Sequence, residues 1–324
     1  MSTSKEKNHT PDLSVVIPLY NEEESVAELY AQISAVVERE GLDTEIIFID
    51  DGSTDDSFEV LCALREQDPR VRVCQFRRNY GKSAALAEGF ARARGAYVVT
   101  MDADLQDDPE EIPHLIDKLE QGFDLISGWK KKRYDPFIKR VTSKLFNFVT
   151  RTLTGVNLHD MNCGLKIYRN EVVKNVQIYG QRHRFIPVLA VQNGFRVGEL
   201  VVTHHARKYG VSKFGPSRFL NGFLDLITLI FLSRYVKRPL HFFGGVGMIL
   251  LFLGFLISLD LTIERIFFQR YLTNRPLLFL GVLLIIVGTQ FISIGLIGEM
   301  FAESRAENRQ YKIRASLGFD DDEE

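Results

Sequence analysis

The sequence contains little cysteine and has no marked excess of charge of either sign. Its 324 residues include three cysteines, Cys62, Cys74 and Cys163, which are too few and too scattered for a disulfide framework or a CxxC metal site. The 40 lysines and arginines against 42 acidic residues give a formal net charge of −2. This balance argues against a protein that neutralises a nucleic-acid backbone. We therefore expect reduced cysteines, no nucleic-acid partner, and local binding of any phosphate group.

Two common nucleotide-binding signatures are also missing. No GxGxxG motif follows the first apolar run, and GxxxxGK[ST] does not occur anywhere in the sequence. The first absence excludes the usual dinucleotide fingerprint, and the second excludes a Walker loop. A nucleotide, if one binds, must be recognised by other loops.

Two long apolar stretches lie towards the C-terminal end. Residues 240–263 carry one formal charge, Asp260, and residues 277–298 carry none. At about 1.5 Å per helical residue, either stretch covers the roughly 30 Å hydrocarbon layer of a membrane. Basic residues precede the first stretch and follow the second, which favours a cytoplasmic position for both flanks. We predict two transmembrane helices in the inner (plasma) membrane.

The domain organisation follows from this change in composition. We predict a cytoplasmic domain over residues 1–216, an interfacial amphipathic helix over 217–238, a two-helix membrane region over 239–300 and an acidic tail over 301–324. The middle segment contains Asn221 and Asp225 among its apolar residues, which favours a helix lying in the interface over one crossing the bilayer. A third crossing is the alternative, and it would reverse the orientation argument.

The first part of the chain alternates short apolar runs with helix-favouring segments. Strands are predicted at 13–18, 45–49, 71–76 and 97–101, with helices between them. Repeated units of this kind predict an α/β fold with a mainly parallel sheet and helices on both faces. Ligands of such sheets bind beyond the carboxyl ends of the strands, so the loops that follow the strands are the candidate site.

Acidic residues are concentrated in one of these loops. Asp102-Ala103-Asp104 follows the fourth predicted strand, and we expect its carboxylates to alternate along a short extended segment. Carboxylate oxygens suit Mg²⁺ or Mn²⁺, which bind few protein carboxylates together with substrate phosphates. Two aspartates at this spacing occur equally in solvated loops that cap a helix. The prediction of a metal site therefore depends on the residues of the other loops.

The other motifs stand in a fixed order. They are PLYNE at 18–22, DDGSTD at 50–55, NYGK at 79–82, DAD at 102–104, DMNCGLK at 160–166 and HHARKYGVSKF at 204–214. With two apolar stretches after them, the chain resembles glycosyltransferase family 2. The resemblance extends over nearly the whole chain to bacterial polyprenyl-phosphate glycosyltransferases related to dolichol-phosphate mannose synthase.

The resemblance implies a GT-A fold, which is Rossmann-like, and a metal-dependent enzyme using Mg²⁺ or Mn²⁺. It implies inverting transfer of one sugar from a nucleotide-sugar donor, with UDP-glucose as first choice, to undecaprenyl phosphate in the lipid bilayer. The nucleoside-binding positions are Pro18, Tyr20, Glu22 and Asp51, and the metal and diphosphate positions are Asp102, Asp104 and Gln106. Phosphate contacts are expected from Lys139, Ser143, Arg207, Ser212 and Lys213.

Three residues form the candidate catalytic set, Asp104, Asp160 and Lys82. Lys82 can stabilise the charge that develops on the leaving diphosphate. For Asp160 three roles stay open: orienting the acceptor, binding the metal or removing a proton. Cys163 is interpreted as a packing residue, and His183 as a structural histidine outside the catalytic set.

Two other functions compete with this interpretation. A processive polysaccharide synthase normally carries QxxRW, but the single tryptophan, Trp129, does not stand in such a motif. A membrane scaffold without activity would not need Asp102, Asp104, Asp160 and Lys82 together. Assembly into a homo-oligomer is left open by the sequence.

Overall fold

The structure is a computed structural model that describes residues 10–131, 143, 147–152, 154–178, 182–206, 208–209, 239–269 and 275–306. It divides into two compact units, residues 1–226 and 227–324. The predicted interfacial helix and most of the acidic tail lie outside the described residues.

The first unit contains a seven-stranded sheet in the order β3-β2-β1-β4-β6-β5-β7. Its strands are β1 (Leu13–Leu19), β2 (Thr44–Asp50), β3 (Val71–Gln75), β4 (Tyr97–Thr100), β5 (Leu125–Trp129), β6 (Lys166–Arg169) and β7 (Val197–Val201). Pairings β1–β2, β1–β4, β2–β3 and β5–β7 are parallel. Strand β6 runs antiparallel to both of its neighbours, β4 and β5. The predicted α/β class with a mainly parallel sheet is confirmed.

Helices accompany the described strands, and residues 147–152, between β5 and β6, are also helical. The helices with defined bounds in this unit are α1 (Glu23–Arg39), α2 (Ser57–Gln67), α3 (Lys82–Arg92), α4 (Glu111–Glu120), α5 (Asn170–Asn175) and α6 (Ile186–Gln192), the last preceded by a 3-10 turn over Arg182–Phe185. The predicted βα alternation up to residue 101 is confirmed, with boundaries that differ by one or two residues.

Alternate residues of the strands enter two separate apolar cores. On β1, Val15 and Ile17 pack with residues of α1, α2 and α4, whereas Val16 packs with residues of α3. All seven residues of β1 are buried, and burial of each large aliphatic side chain is worth about 1.5–3 kcal/mol. A strand buried on both sides needs a continuous apolar run, which is why β1 could be recognised in the sequence.

The second unit contains two long helices, α7 (Pro239–Phe268) and α8 (Pro276–Ala306). Both are long and apolar enough to cross a membrane, and both extend beyond the predicted apolar stretches. Their backbones approach each other at glycines: a Cβ on Gly247 would lie 2.6 Å from the carbonyl oxygen of Gly288, and one on Gly254 would lie 2.7 Å from that of Gly281. Small residues of this kind allow close packing of membrane helices.

Candidate active site

The loops after β1 and β2 are joined by hydrogen bonds at the carboxyl edge of the sheet. The Asn21 amide N–H donates to Ser53 Oγ at 2.9 Å, and the Thr54 N–H donates to Asn21 Oδ1 at 2.8 Å. The Glu22 N–H donates to Ser57 Oγ at 2.9 Å. Asn21 has a φ of +55°, a conformation that asparagine tolerates better than most residues. The segment carrying Pro18, Tyr20 and Glu22 is therefore held against the segment carrying Asp51.

Asp51 is buried and connects this edge to the loop after β3. Its carboxylate accepts hydrogen bonds from the backbone N–H groups of Tyr80 (2.7 Å) and Gly81 (2.8 Å). Burial raises the pKa of Asp51, and the two hydrogen bonds offset part of that increase. Gly52 has a φ of +73°, and a Cβ there would lie 2.6 Å from the Arg78 carbonyl carbon. A side chain at position 52 would force these two loops apart.

Lys82 is the first residue of α3, and its Nζ donates to Oδ1 of Asp102. Both side chains are about one-third exposed, 34% for Lys82 and 35% for Asp102. Desolvation raises the pKa of Asp102, but the adjacent Lys82 ammonium outweighs it and lowers the pKa to about 2. Asp102 is therefore an anion at neutral pH, paired with a lysine from the neighbouring loop.

The Asp102–Asp104 segment forms a turn, so the expectation of an extended segment is wrong. Residues 103 and 104 are in a turn, and Leu105 follows with a φ of +58°. The Gln106 N–H donates to Asp104 Oδ1 at 3.2 Å, and the Asp102 N–H donates to Asp107 Oδ2 at 3.3 Å. Aspartate side chains that accept local backbone N–H groups favour turns over extended chain.

Gly164 leaves room for two carboxylates. A Cβ at this position would lie 2.6 Å from Asp102 Oδ2 and 2.9 Å from Asp107 Oδ2. Asp107 in turn forms a buried ion pair with Lys130, with Nζ and Oδ1 2.7 Å apart. Burial lowers the pKa of Lys130, but the Asp107 carboxylate outweighs this and the net shift is upward. Sequence analysis missed Asp107 and Lys130 because their pairing joins loops that are distant in the sequence.

The loop after β7 is fastened to the acidic turn. Asp107 and His204 form an isolated antiparallel β-bridge. The His205 N–H donates to the Gln106 carbonyl oxygen at 2.9 Å, and His205 Nε2 lies 2.9 Å from Asp108 Oδ2. The motif that begins at His204 therefore starts in direct contact with the acidic turn.

Asp160 is buried in a loop that several contacts hold in place. Its carbonyl oxygen accepts a hydrogen bond from Ser127 Oγ at 3.3 Å. The preceding His159 stacks on Trp129, with ring centroids 4.1 Å apart and planes 13° apart. His159 Nδ1 also lies 2.5 Å from Glu199 Oε1. These contacts fix the backbone at Asp160 near the carboxyl end of β5.

A pocket beside the Lys82–Asp102 pair is lined by two basic side chains, the buried Lys166 and the half-buried His183. Lys166 Nζ donates to the Cys163 carbonyl oxygen, and burial lowers its pKa. His183 Nδ1 lies 2.8 Å from Ser83 Oγ, and burial lowers its pKa well below the usual value, so the ring is neutral at pH 7. His183 lines this pocket together with Lys82, although 100 residues separate it from its hydrogen-bond partner Ser83. The interpretation of His183 as a structural histidine outside the catalytic set stays a prediction.

Cys163 lies in the same pocket. It is buried, and this burial raises the pKa of its thiol to about 12. A buried thiol with this pKa is not ionised at neutral pH and does not act as a nucleophile. The interpretation of Cys163 as a packing residue agrees with its place in the structure.

The acidic turn fits a hard divalent cation. In the part of the chain that the structure describes, no group of three or more His, Cys, Asp or Glu side chains could hold a metal ion. Asp102 and Asp104 nevertheless provide two carboxylates on one turn. Mg²⁺ is commonly bound by one or two carboxylates, with substrate phosphates and water completing the shell. This donor set therefore suits an ion that binds together with a diphosphate.

Most of the predicted phosphate-binding residues lie outside the part of the chain that the structure describes. Lys139, Arg207, Ser212 and Lys213 lie outside the described residues, and Ser143 is half-buried. Among the remaining predicted residues, Pro18 lies near the end of β1 and Lys82 begins α3. The others belong to the loops described above, namely Tyr20, Glu22, Asp51, Asp102, Asp104, Gln106 and Asp160.

Comparison with known proteins assigns this site to a family. Residues 14–177 match the family described as Glycosyl transferase family 2. The chain belongs to glycosyl transferase family 2. It is 41% identical over 301 residues to a dodecaprenyl-phosphate galacturonate synthase of Rhizobium johnstonii, covering 90% of this chain and 88% of that protein. It is 37% identical over 304 residues to an undecaprenyl-phosphate 4-deoxy-4-formamido-L-arabinose transferase of Pseudomonas fluorescens, covering 92% and 88%.

Solved structures support the fold of this glycosyltransferase. Glucosyl-3-phosphoglycerate synthase from Mycobacterium tuberculosis in complex with phosphoglyceric acid has a TM-score of 0.54 at 20% identity, covering 69% of this chain and 80% of that chain. The same enzyme in complex with Mn²⁺ and UDP-glucose has a TM-score of 0.52 at 20% identity, covering 69% and 79%. At this identity the likeness shows a shared GT-A fold.

Proposed function

We propose that this family 2 glycosyltransferase moves one sugar from a nucleotide-sugar donor to a polyprenyl phosphate, with inversion at the anomeric carbon. The observation that carries the proposal is the charged cluster formed by Lys82, Asp102 and Asp104 at the carboxyl edge of the sheet. Relatives that match about nine-tenths of the chain are named as transferases or synthases of polyprenyl-phosphate sugars, which supports the acceptor class.

The donor is assigned to the joined loops after β1, β2 and β3. Pro18, Tyr20, Glu22 and Asp51 would hold the nucleoside, because these loops are fastened together by Asn21 and by the Asp51 carboxylate. Asp102, Asp104 and Gln106 would hold Mg²⁺ or Mn²⁺ with the diphosphate. The chemistry such an ion supplies when bound there is neutralisation of the negative charge that develops on the leaving diphosphate.

The reaction needs little proton transfer. An oxygen of the acceptor phosphate forms a bond to the anomeric carbon, while the bond from that carbon to the donor diphosphate breaks and the nucleoside diphosphate leaves. A phosphate monoester has a second pKa of about 6 and is mostly ionised near neutral pH. A strong general base is therefore unnecessary, and orientation of the acceptor contributes more. Asp160 is assigned to this orientation because its backbone is held by several contacts.

The acceptor is assigned to the segment that leads towards the membrane unit. Arg207, Ser212 and Lys213 would bind its phosphate, with further contacts from Lys139 and Ser143, which follow β5 in the sequence. In this proposal α7 and α8 cross the inner membrane, and the catalytic unit faces the cytoplasm.

The sugar is the least constrained part of the proposal. UDP-glucose is our first choice of donor. The relatives compared above are named for other sugars, galacturonate and 4-deoxy-4-formamido-L-arabinose. The deciding experiment offers membranes that contain the protein a panel of nucleotide sugars, undecaprenyl phosphate and Mg²⁺ or Mn²⁺. The expected result is one lipid-linked sugar per acceptor, sensitive to a chelator. Lipid-linked polymers, or no transfer with any member of the panel, would contradict the proposal.

A further inference from the structure

The Lys82 ammonium is bound to the carboxylate of Asp102, which the proposed function assigns as a metal ligand. Its Nζ donates to Oδ1 of Asp102. The other oxygen, Oδ2, faces the backbone of Gly164, where a Cβ would lie only 2.6 Å away. An ion that binds Asp102 from the open side therefore meets the oxygen to which the lysine is already bound.

Three lysines surround Asp102, but they are held to different degrees. Lys130 is held in its ion pair with the buried Asp107, and its side chain is only 12% exposed. Lys166 is buried and donates to the Cys163 carbonyl oxygen. The side chain of Lys82 is 34% exposed and is attached at the first residue of α3. Of these three, Lys82 has the freedom to exchange partners without leaving a charge buried and unpaired.

We infer that Lys82 is an internal counter-ion of Asp102 that a divalent cation displaces, and that the released ammonium then pairs with the donor diphosphate. The inference rests on the proposed function, since it takes the diphosphate of a nucleotide sugar as the second partner. In the absence of metal, the ammonium balances the charge of Asp102 at this edge of the sheet. When the cation takes the Asp102 oxygen, the lysine contributes its charge to the phosphate that the cation brings.

The inference makes Lys82 a competitor of the metal before the donor binds. Replacement by an apolar residue of similar length then removes the competitor, and the metal binds more tightly. A partly exposed ion pair has a modest net strength, so the expected gain in metal affinity of the free enzyme is about two- to fivefold. The same replacement weakens nucleotide binding to the metal-loaded enzyme, because the second partner of the diphosphate is lost.

The test is a titration of Mn²⁺ into purified full-length protein without nucleotide, followed by the electron paramagnetic resonance signal of free Mn²⁺. The variants are Lys82→Met, Lys82→Arg and the matched control Lys118→Met, which removes a partly exposed lysine of α4 that donates to Gln121. We expect Lys82→Met to bind Mn²⁺ more tightly, and the other two to behave like the wild type. Equal or weaker Mn²⁺ binding by Lys82→Met, with an unchanged circular dichroism spectrum, would overturn the inference.

A second titration keeps this result separate from the proposed reaction. With Mn²⁺ saturating, uridine diphosphate is the probe, and its affinity is expected to fall about tenfold or more in Lys82→Met but not in Lys118→Met. Unchanged affinity for uridine diphosphate contradicts the second partner. Both titrations can give the expected result while the panel of nucleotide sugars gives no lipid-linked sugar. That outcome contradicts the proposed reaction and supports the displacement of Lys82 from Asp102 by the metal ion.

Discussion

At the scale of single residues, the acidic turn depends on which carboxylates have charged partners. Asp102 pairs with Lys82 across two loops, and Asp107 pairs with Lys130 in a buried contact. Asp102 therefore stays partly accessible, whereas Asp107 accepts the Asp102 N–H and supports the turn. The two aspartates therefore have different roles: Asp102 is available to ligands, and Asp107 stabilises the backbone of the turn.

Substitution of Asp102 tests its role in ligand binding. We expect Asp102→Ala to abolish sugar transfer, because the ligand oxygen at the acidic turn is lost, while folding and membrane insertion survive. The measurement is transfer by the purified variant, with thermal unfolding as the control for folding. Full transfer by the folded variant would refute the metal assignment.

The thiols offer a test of burial that needs no substrate. Cys62 is exposed, whereas Cys163 is buried with a pKa of about 12. Because the thiolate is the reactive form, iodoacetamide at pH 8 should label Cys62 in the folded protein and leave Cys163 unmodified. Peptide mass spectrometry before and after denaturation measures this difference, and denaturation should make Cys163 reactive. Labelling of Cys163 in the folded protein at the rate of Cys62 would contradict its position in the structure.

At the scale of elements, the strands and helices that could be predicted are those with a recognisable local sequence pattern. Strands β1 to β4 and helices α1 to α3 could be recognised because buried apolar runs alternate with amphipathic segments. The antiparallel insertion of β6 could not, because its four residues, Lys166–Arg169, pair with strands that are distant in the chain. The same reason explains the site: motif residues were found by resemblance, whereas Asp107, Lys130 and His183 make contacts between segments that are distant in the sequence.

The glycines between α7 and α8 give a prediction with a control on the same helix. A Cβ at Gly247 would lie 2.6 Å from the Gly288 carbonyl oxygen, whereas Gly245 has no atom within 4 Å of its Cβ position. Gly247→Leu should therefore destabilise the helix pair by about 1–3 kcal/mol, the usual cost of overpacking. Gly245→Leu should be close to neutral. Unfolding in detergent followed by circular dichroism measures both, and equal effects would contradict the close packing.

At the scale of the whole molecule, the division into two compact units bears on how the enzyme can be dissected. We predict that a truncated protein ending near Lys213 folds without α7 and α8 and still binds nucleotide in the presence of Mg²⁺ or Mn²⁺. The nucleoside and metal residues all precede this point, so the donor affinity should be close to that of the full chain. Calorimetric titration with uridine diphosphate measures it. A folded truncated protein that fails to bind would contradict the domain division.

The position of β6 in the sheet also governs the order in which a growing chain can fold. Strand β4 ends at Thr100 and β5 starts at Leu125, yet the strand between them in the sheet begins only at Lys166. Translation delivers the chain from its N-terminus at about 5–20 residues per second. The first four strands can thus pair on the ribosome. Strand β5 is synthesised several seconds before β6, the strand that connects it to β4 in the sheet. A pause in translation before codon 166 would prolong the life of a half-built sheet with an open edge, the kind of species that aggregates.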